Sequence, residues 1–267
     1  MKEIKINLGN NTNRIEIVPL GDLHIGDENC RLDLIKTTIN YIKNTKDCYA
    51  ILNGDLMNNA LKTSKSDSYR ETMTMEEQQD LLVELLTPIK DKILVMTQGN
   101  HEYRTNLLAG IDPLRYVARS LGLIEKDRYA DNSYLLTLQF GKRNGSEQMT
   151  NTYTIYGIHG TGGGRRIGSS ANALEDMGHI VCNADLYIHS HTHNVVNFSD
   201  CVYIYNVNNK KLEKHRRIFY NTNSFVDYGG YAERKCYKPS DLTPSTIVIT
   251  IKRNKGEMNK ITDIIKL

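Results

Sequence analysis

Three stretches, RIEIVPLGDLHIG (residues 14–26), CYAILNGDLMNN (48–59) and ILVMTQGNHEYR (93–104), share one design. Each opens as a short apolar run rich in β-branched residues, which reads as a buried strand, and each closes on glycine followed by a residue able to bind a metal or move a proton. The predicted strands are Arg14 to Leu20, Cys48 to Leu52 and Ile93 to Thr97. Between them lie helical patterns. Leu32, Ile35, Ile39 and Ile42 fall on one face of a helix over Arg31 to Asn44. Thr74 and Glu77 form a capping box ahead of Leu81, Leu82, Leu85, Leu86 and Ile89, so a second helix starts there and stops near Pro88 to Lys90. The first half is therefore β-α-β-α-β.

Beyond it, Asp112-Pro113 opens a short helix that Gly122 closes. Ser133 to Phe140 and Thr152 to Ile158 alternate apolar and polar residues around KRNGSEQMTN, which predicts a hairpin whose second strand delivers His159. A glycine-rich loop (Gly160 to Gly168), a helix from Ser169 to about Met177 and a strand Asp185 to Ile188 lead to His189-Ser-His-Thr-His193. Strands at Cys201 to Val207, Arg217 to Tyr220 and Thr246 to Ile251 follow. The pattern is α/β and implies two packed sheets with helices outside. The chain has no internal repeat and no Pro- or Ser-rich linker, so residues 1–267 read as one domain.

Composition narrows the function. Basic residues number 34 and acidic ones 31, a net charge of +3, which gives no field able to hold a long duplex, so any nucleic-acid contact must be local. The N-terminus lacks the apolar core of a signal peptide and no stretch approaches the length of a membrane span, giving the expectation of a soluble, cytoplasmic protein without a membrane partner. The five cysteines are scattered and never form a CxxC pair, which argues against a disulfide framework or a thiolate zinc site.

Six of the eight histidines, His24, His101, His159, His189, His191 and His193, stand at predicted strand ends with Asp22, Asp55 and Asn100. The C-terminal ends of α/β strands are where binding crevices form. This donor set is rich in imidazole and carboxylate and lacks thiolate, which suits Zn, Mn, Fe or similar divalent ions. The donors suffice for two ions, and Asp55, alone in its motif with donors on either side, is the candidate bridge.

The ordered motifs GDLHIG, NGDLMN, GNHEYR, GIHG and SHTH resemble the calcineurin-like metallophosphoesterase superfamily over about Arg14 to Ser224. The resemblance implies a four-layer α/β/β/α sandwich of two mixed sheets flanked by helices. It also implies one ion on Asp22, His24, Asp55 and His193, and a second on Asp55, Asn100, His159 and His191. His101 corresponds to the family's non-ligand histidine, which contacts the scissile phosphate or protonates the leaving oxygen. Manganese is the expected metal, with zinc, iron and nickel as alternatives. In two places the chain departs from the pattern: Ser190 stands where the family usually has glycine, and Asn221-Thr-Asn-Ser224 replaces the usual Asn-Pro-Gly-Ser, with asparagine still able to supply a left-handed turn. His189 reads as packing behind the ligands, and His179 as a contact to a helix C-terminus.

The expected activity is hydrolysis of a nucleotide or nucleic-acid phosphodiester by a metal-bridging hydroxide, with His101 assisting the leaving group. Arg165 and Arg166 in the glycine-rich loop, and Arg104, are candidate phosphate contacts; the other reading is a solvated loop with exposed arginines. The tail GGYAERKCYKP looks like that of the phage- and prophage-associated, nuclease-like branch. A DNA exo- or endonuclease of the break-repair type is one alternative, although few residues follow His193 to cap DNA. A non-catalytic metal-binding module on the same fold is the other.

Overall fold

The computed structural model describes residues 1–9, 12–64, 68–141, 151–162, 164, 166–254 and 257–267. Two six-stranded mixed sheets face each other. One runs β12(Glu257–Lys266), β11(Ser245–Asn254), β2(Arg14–Leu20), β3(Cys48–Asn53), β4(Ile93–Thr97), β5(Tyr129–Ala130). The other runs β1(Lys2–Asn7), β6(Ser133–Phe140), β7(Asn151–Ile158), β8(Leu186–His189), β10(Lys211–Asn221), β9(Val196–Asn206). Helices α1(Leu32–Asn44), α2(Met75–Leu86), α3(Asn100–Ala109) and α4(Pro113–Ser120) follow strands of the first sheet, and α5(Ile167–Ile180) lies on the second. A last short helix, α6, spans Gly230–Arg234.

Alternation along the central strands explains the layering. In β2, Ile15 and Ile17 enter the core between the sheets while Val18 and Leu20 enter the core under the helices. In β3, Ile51 takes the first side and Ala50 and Leu52 the second. Strands buried on both faces are near-continuous in apolar residues, and the exception in β2, the buried Glu16, is satisfied by Arg14 Nη2 at 2.9 Å and Tyr41 OH at 2.6 Å. Helices α1, α2 and α4 cover the outer face with Ile35, Ile39, Leu82, Leu86, Leu114 and Val117. On the opposite outside face, Leu174 and Met177 of α5 pack on Tyr156, Tyr187 and Phe219. The order is helix, sheet, sheet, helix, the α/β/β/α sandwich expected.

Several boundaries move. Helix α5 begins at Ile167, so Gly168 belongs to it, and it continues to Ile180. The β9–β10 ribbon is longer than its sequence signal because Lys211–Asn221 pairs antiparallel with Val196–Asn206 along its whole length. After α2 the chain forms a 3-10 turn, Thr87–Lys92, that contains Pro88. Strands β1, β5 and β12 and helix α3 had no counterpart in the sequence reading. Helix α3 is NHEYRTNLLA, without an apolar stripe, and its Leu107 and Leu108 face solvent, so no periodicity could reveal it. The capping box at Thr74 and Glu77 is present, with Glu77 N donating to Thr74 Oγ1 at 3.3 Å, as is the Asp112 N-cap of α4. All five cysteines are free. The tip of the β6–β7 hairpin, residues 142–150, lies outside the described residues. No helix among the described residues is long and apolar enough to cross a membrane.

Candidate metal centre

Strands β2, β3 and β4 are parallel, as are β7, β8 and β10, and their C-terminal ends meet at one edge of the sandwich. Asp22 and His24 follow β2, Asp55 follows β3, and Asn100 and His101 open α3 after β4. His159 follows β7, and His191 and His193 follow β8. Asn53 ties the sheets together beneath them: its Nδ2 donates to Ile158 O at 2.9 Å and Ser190 Oγ at 2.7 Å, and its Oδ1 accepts from Tyr134 OH at 3.3 Å.

The loops are bent into an unfavourable backbone region. Ten non-glycine residues among those described have positive φ, and five of them are Asp22, His24, Asp55, His191 and His193. Each such residue costs about 1–2 kcal/mol, and such strain gathers where function requires a side chain to be aimed. Glycine makes the crowding possible: a Cβ on Gly99 would collide with Asp55, and one on Gly54 would lie 2.6 Å from Gly99 N.

The donors converge in overlapping groups, Asp22–His24–His193, His24–Asp55–His101 and Asp55–His159–His191. In the first, His193 Nε2 is 3.2 Å from Asp22 Oδ1 and 3.2 Å from His24 Nε2. In the third, His159 Nε2 is 3.1 Å from Asp55 Oδ2 and 3.2 Å from Asn100 Oδ1. The residues named for both sets from the sequence thus lie close together, Asp55 grouping with His24 on one side and with His159 and His191 on the other. His101 lies at the same cluster, grouped with His24 and Asp55, its Nε2 3.8 Å from Asp55 Oδ2.

These residues fit a metal ion on a specific observation. Asp22 is fully buried, and its Oδ1 has no hydrogen-bond donor although it faces two imidazole nitrogens. A buried orphan carboxylate oxygen among converging lone pairs is costly unless a cation completes it. The rest of the shell is oriented from behind. His159 Nδ1 donates to Asn53 O at 2.8 Å, turning Nε2 toward Asp55. The other oxygen of Asp22 accepts from His191 N at 2.8 Å, and Asp55 Oδ1 accepts from His101 N at 2.8 Å.

Electrostatics follow from the crowding. Burial favours the neutral form of Asp22 and Asp55, yet neighbouring histidines hold both carboxyls well below the usual range, His193 dominating for Asp22 and His101 and His159 for Asp55. Burial opposes charge on His159 too, but Asp55 raises its pKa to about 10. For His101 burial prevails and lowers the pKa well below that of free histidine, assisted by His24 and Arg104. Its Nδ1 donates to Asn58 O at 2.7 Å, so the neutral ring presents the Nε2 lone pair to the cluster.

Two residues absent from the sequence reading support the site. Glu102 is fully buried and accepts from Asp55 N at 3.1 Å, Met57 N at 2.9 Å and Gly99 N at 2.8 Å; burial and Asp55 push its carboxyl up to about 7. Its position three residues after Gly99, as in a capping box, was the available signal. Asn53 is the other, and nothing but its place before Gly54-Asp55 marks it. His189 is buried under Gly160, with Nδ1 2.6 Å from Asn221 Oδ1, the packing role expected of it. His179 stands in the last turn of α5. Ser190 is fully buried, accepts from Asn53 Nδ2 and Thr222 Oγ1, and leaves no room for a Cβ at Gly21, so its hydroxyl joins the inter-sheet network. The left-handed turn anticipated at Asn221–Ser224 is absent, since neither asparagine has positive φ. Asn221 Nδ2 instead bonds Thr192 Oγ1 at 2.9 Å and Asn194 O at 2.6 Å.

A cavity of ≈ 540 Å³ opens over the cluster. Arg104 lines it, as do Gly162 and Gly164 of the glycine-rich loop. Arg166 is exposed at the N-cap of α5 and is not among the lining residues, and Arg165 lies outside the described residues.

The calcineurin-like phosphoesterase family matches residues 15–195, and the chain belongs to that family. Comparison with curated proteins found no match. Among solved structures, the chain is similar to vacuolar protein sorting 29 from Cryptosporidium parvum, with 16% identity, TM-score 0.40, and 96% of this chain and 100% of that one covered. It is also similar to GAP50, the anchor in the inner membrane complex of Plasmodium, with 11% identity, TM-score 0.42, and 96% and 90% covered.

Proposed function

We propose that the protein is a binuclear metal-dependent phosphodiesterase acting on a nucleotide or nucleic-acid phosphodiester. The observation that carries the reading is the buried, unpartnered Asp22 Oδ1 set among donor groups that overlap in turn through His24 and Asp55. Asp22, His24, Asp55 and His193 would hold one divalent ion, and Asp55, Asn100, His159 and His191 the other, with manganese the metal proposed. Bound there, the ions supply Lewis-acid chemistry, lowering the pKa of water and neutralising phosphoryl oxygens.

The chain's own residues do the rest. His101 Nε2 faces the cluster and exchanges the proton; the phosphate anion favours its protonated form, in which Nε2–H donates to the leaving oxygen. Arg104 lines the cavity and binds a phosphate oxygen. Asn53 and Glu102 keep the two sheet edges and the Asp55 loop in place. The test is elemental analysis of the purified protein, with hydrolysis of bis(p-nitrophenyl) phosphate and p-nitrophenyl phosphate in manganese. Two ions per chain and preference for the diester support the reading. One ion at full activity refutes the binuclear site, a preference for the monoester refutes the diesterase assignment, and bound metal without hydrolysis of either ester leaves a non-catalytic metal-binding module.

A further inference from the structure

Residues Val226 to Ser240 lie beyond the stretch matched by the family, yet many of them line the same cavity as the ligand cluster. The segment is fastened at its start. Cys30 and Val226 form an antiparallel bridge, Asp227 N donates to Asn29 O at 2.9 Å, and Arg31 Nη1 is 3.5 Å from Asp227 Oδ2. Gly229 and Gly230 press on Asn29, where an added Cβ would lie 3.0 and 3.4 Å from its side-chain amide. Beyond α6 the chain closes with Tyr237 N donating to Ala232 O at 2.9 Å.

The charges on this wall are not balanced alike. Glu28 is paired with Arg70 at 2.7 Å, Asp227 with Arg31 and with Tyr228 N at 2.8 Å, and Asp27 accepts from Asn29 N at 2.8 Å. Arg234 and Lys238 also line the cavity, and neither has an ion-pair partner among the described residues. Tyr228 and Tyr237 line the same wall. Cations bind phosphate oxygens, and aromatic rings stack on bases whatever their sequence. The cavity volume suits a small ligand rather than a duplex.

We propose that the Val226–Ser240 wall is a nucleotide subsite, in which Arg234 and Lys238 bind a phosphate one nucleotide away from the scissile one and Tyr228 and Tyr237 stack the intervening base. The proposal rests on the phosphodiester reading for the scissile group, but the subsite itself needs no metal. Its test therefore begins without one: calorimetric titration of the EDTA-treated protein with thymidine 3′,5′-bisphosphate. The native chain should bind it. Arg234→Ala/Lys238→Ala should weaken binding about tenfold or more, and Tyr237→Leu should also weaken it. Absence of binding by the native chain, or unchanged affinity in the double variant with an unchanged melting temperature, overturns the subsite.

A second measurement separates the two readings. With manganese, the p-nitrophenyl ester of thymidine 5′-phosphate should show a lower KM when it also carries a 3′-phosphate, and the double variant should erase that difference. A 3′-phosphate advantage retained by the double variant refutes the assignment of Arg234 and Lys238. Bisphosphate binding that depends on those residues, without hydrolysis of any diester, supports the subsite and refutes the catalytic reading alone.

Discussion

Replacing Asn53 should loosen the joint between the two sheets. The side chain is fully buried and makes three hydrogen bonds, to Ile158 O, Ser190 Oγ and Tyr134 OH. At about 1 kcal/mol for each intramolecular bond, Asn53→Ala should cost about 3 kcal/mol. For a chain of this size that is a fall in melting temperature of about 6–12 °C. Asn53→Asp keeps the shape but turns the amide donor into a buried carboxylate oxygen facing the Ile158 carbonyl, an obligate acceptor. It should be worse than alanine at about pH 8, where the buried carboxylate is ionised, and recover toward alanine at about pH 5 as the group takes a proton. Urea and thermal unfolding of the EDTA-treated protein measure both. An Asn53→Ala melting temperature equal to that of the parent, or an aspartate variant no worse than alanine at the higher pH, would refute the inter-sheet role.

The other predictions concern the centre itself. Asp55→Asn should lower metal content and turnover more than Asp22→Asn, because Asp55 adjoins both donor sets; the reverse order in elemental analysis and kinetics would misplace the bridge. His101→Ala should reduce diester turnover about 10²–10⁴-fold with metal content retained, and loss of metal would make it a ligand. Gly99→Ala should abolish activity through collision with Asp55, which a turnover assay with a circular-dichroism control would reveal. Finally, the folded-state pKa of His159 is raised from 6.5 to about 10, so its contribution to metal-free stability is complete below pH 6.5 and is lost as pH rises through 10. Melting in EDTA should show that decline, and manganese should remove it, since a ligating imidazole must be neutral.

How far the sequence could be read depended on whether its signal was local. Strands β2, β3 and β4 were legible because burial on both faces favours mostly apolar runs, and Gly-Asp and Gly-Asn endings mark where the chain leaves the sheet. Asp22, His24, Asp55, Asn100, His101, His159, His191 and His193 were legible because few other roles require those residue types at successive strand ends. Helix α3 was not, because it is held by the buried Glu102 beneath its first turn instead of an apolar face. The length of the β9–β10 ribbon was hidden for a similar reason, since cross-strand pairing extends it past its apolar residues.

The sequence by itself determined the layered class and the chemistry of the donor set, because periodicity and residue type are properties of short segments. Only the tertiary structure decided that Asp22 Oδ1 is left without a donor, that Asn53 and Ser190 lock one sheet to the other, and that the Val226–Ser240 segment returns to wall the cavity. Each of these joins residues more than a hundred positions apart, and such distances are set by how the two sheets pack, which no local pattern encodes.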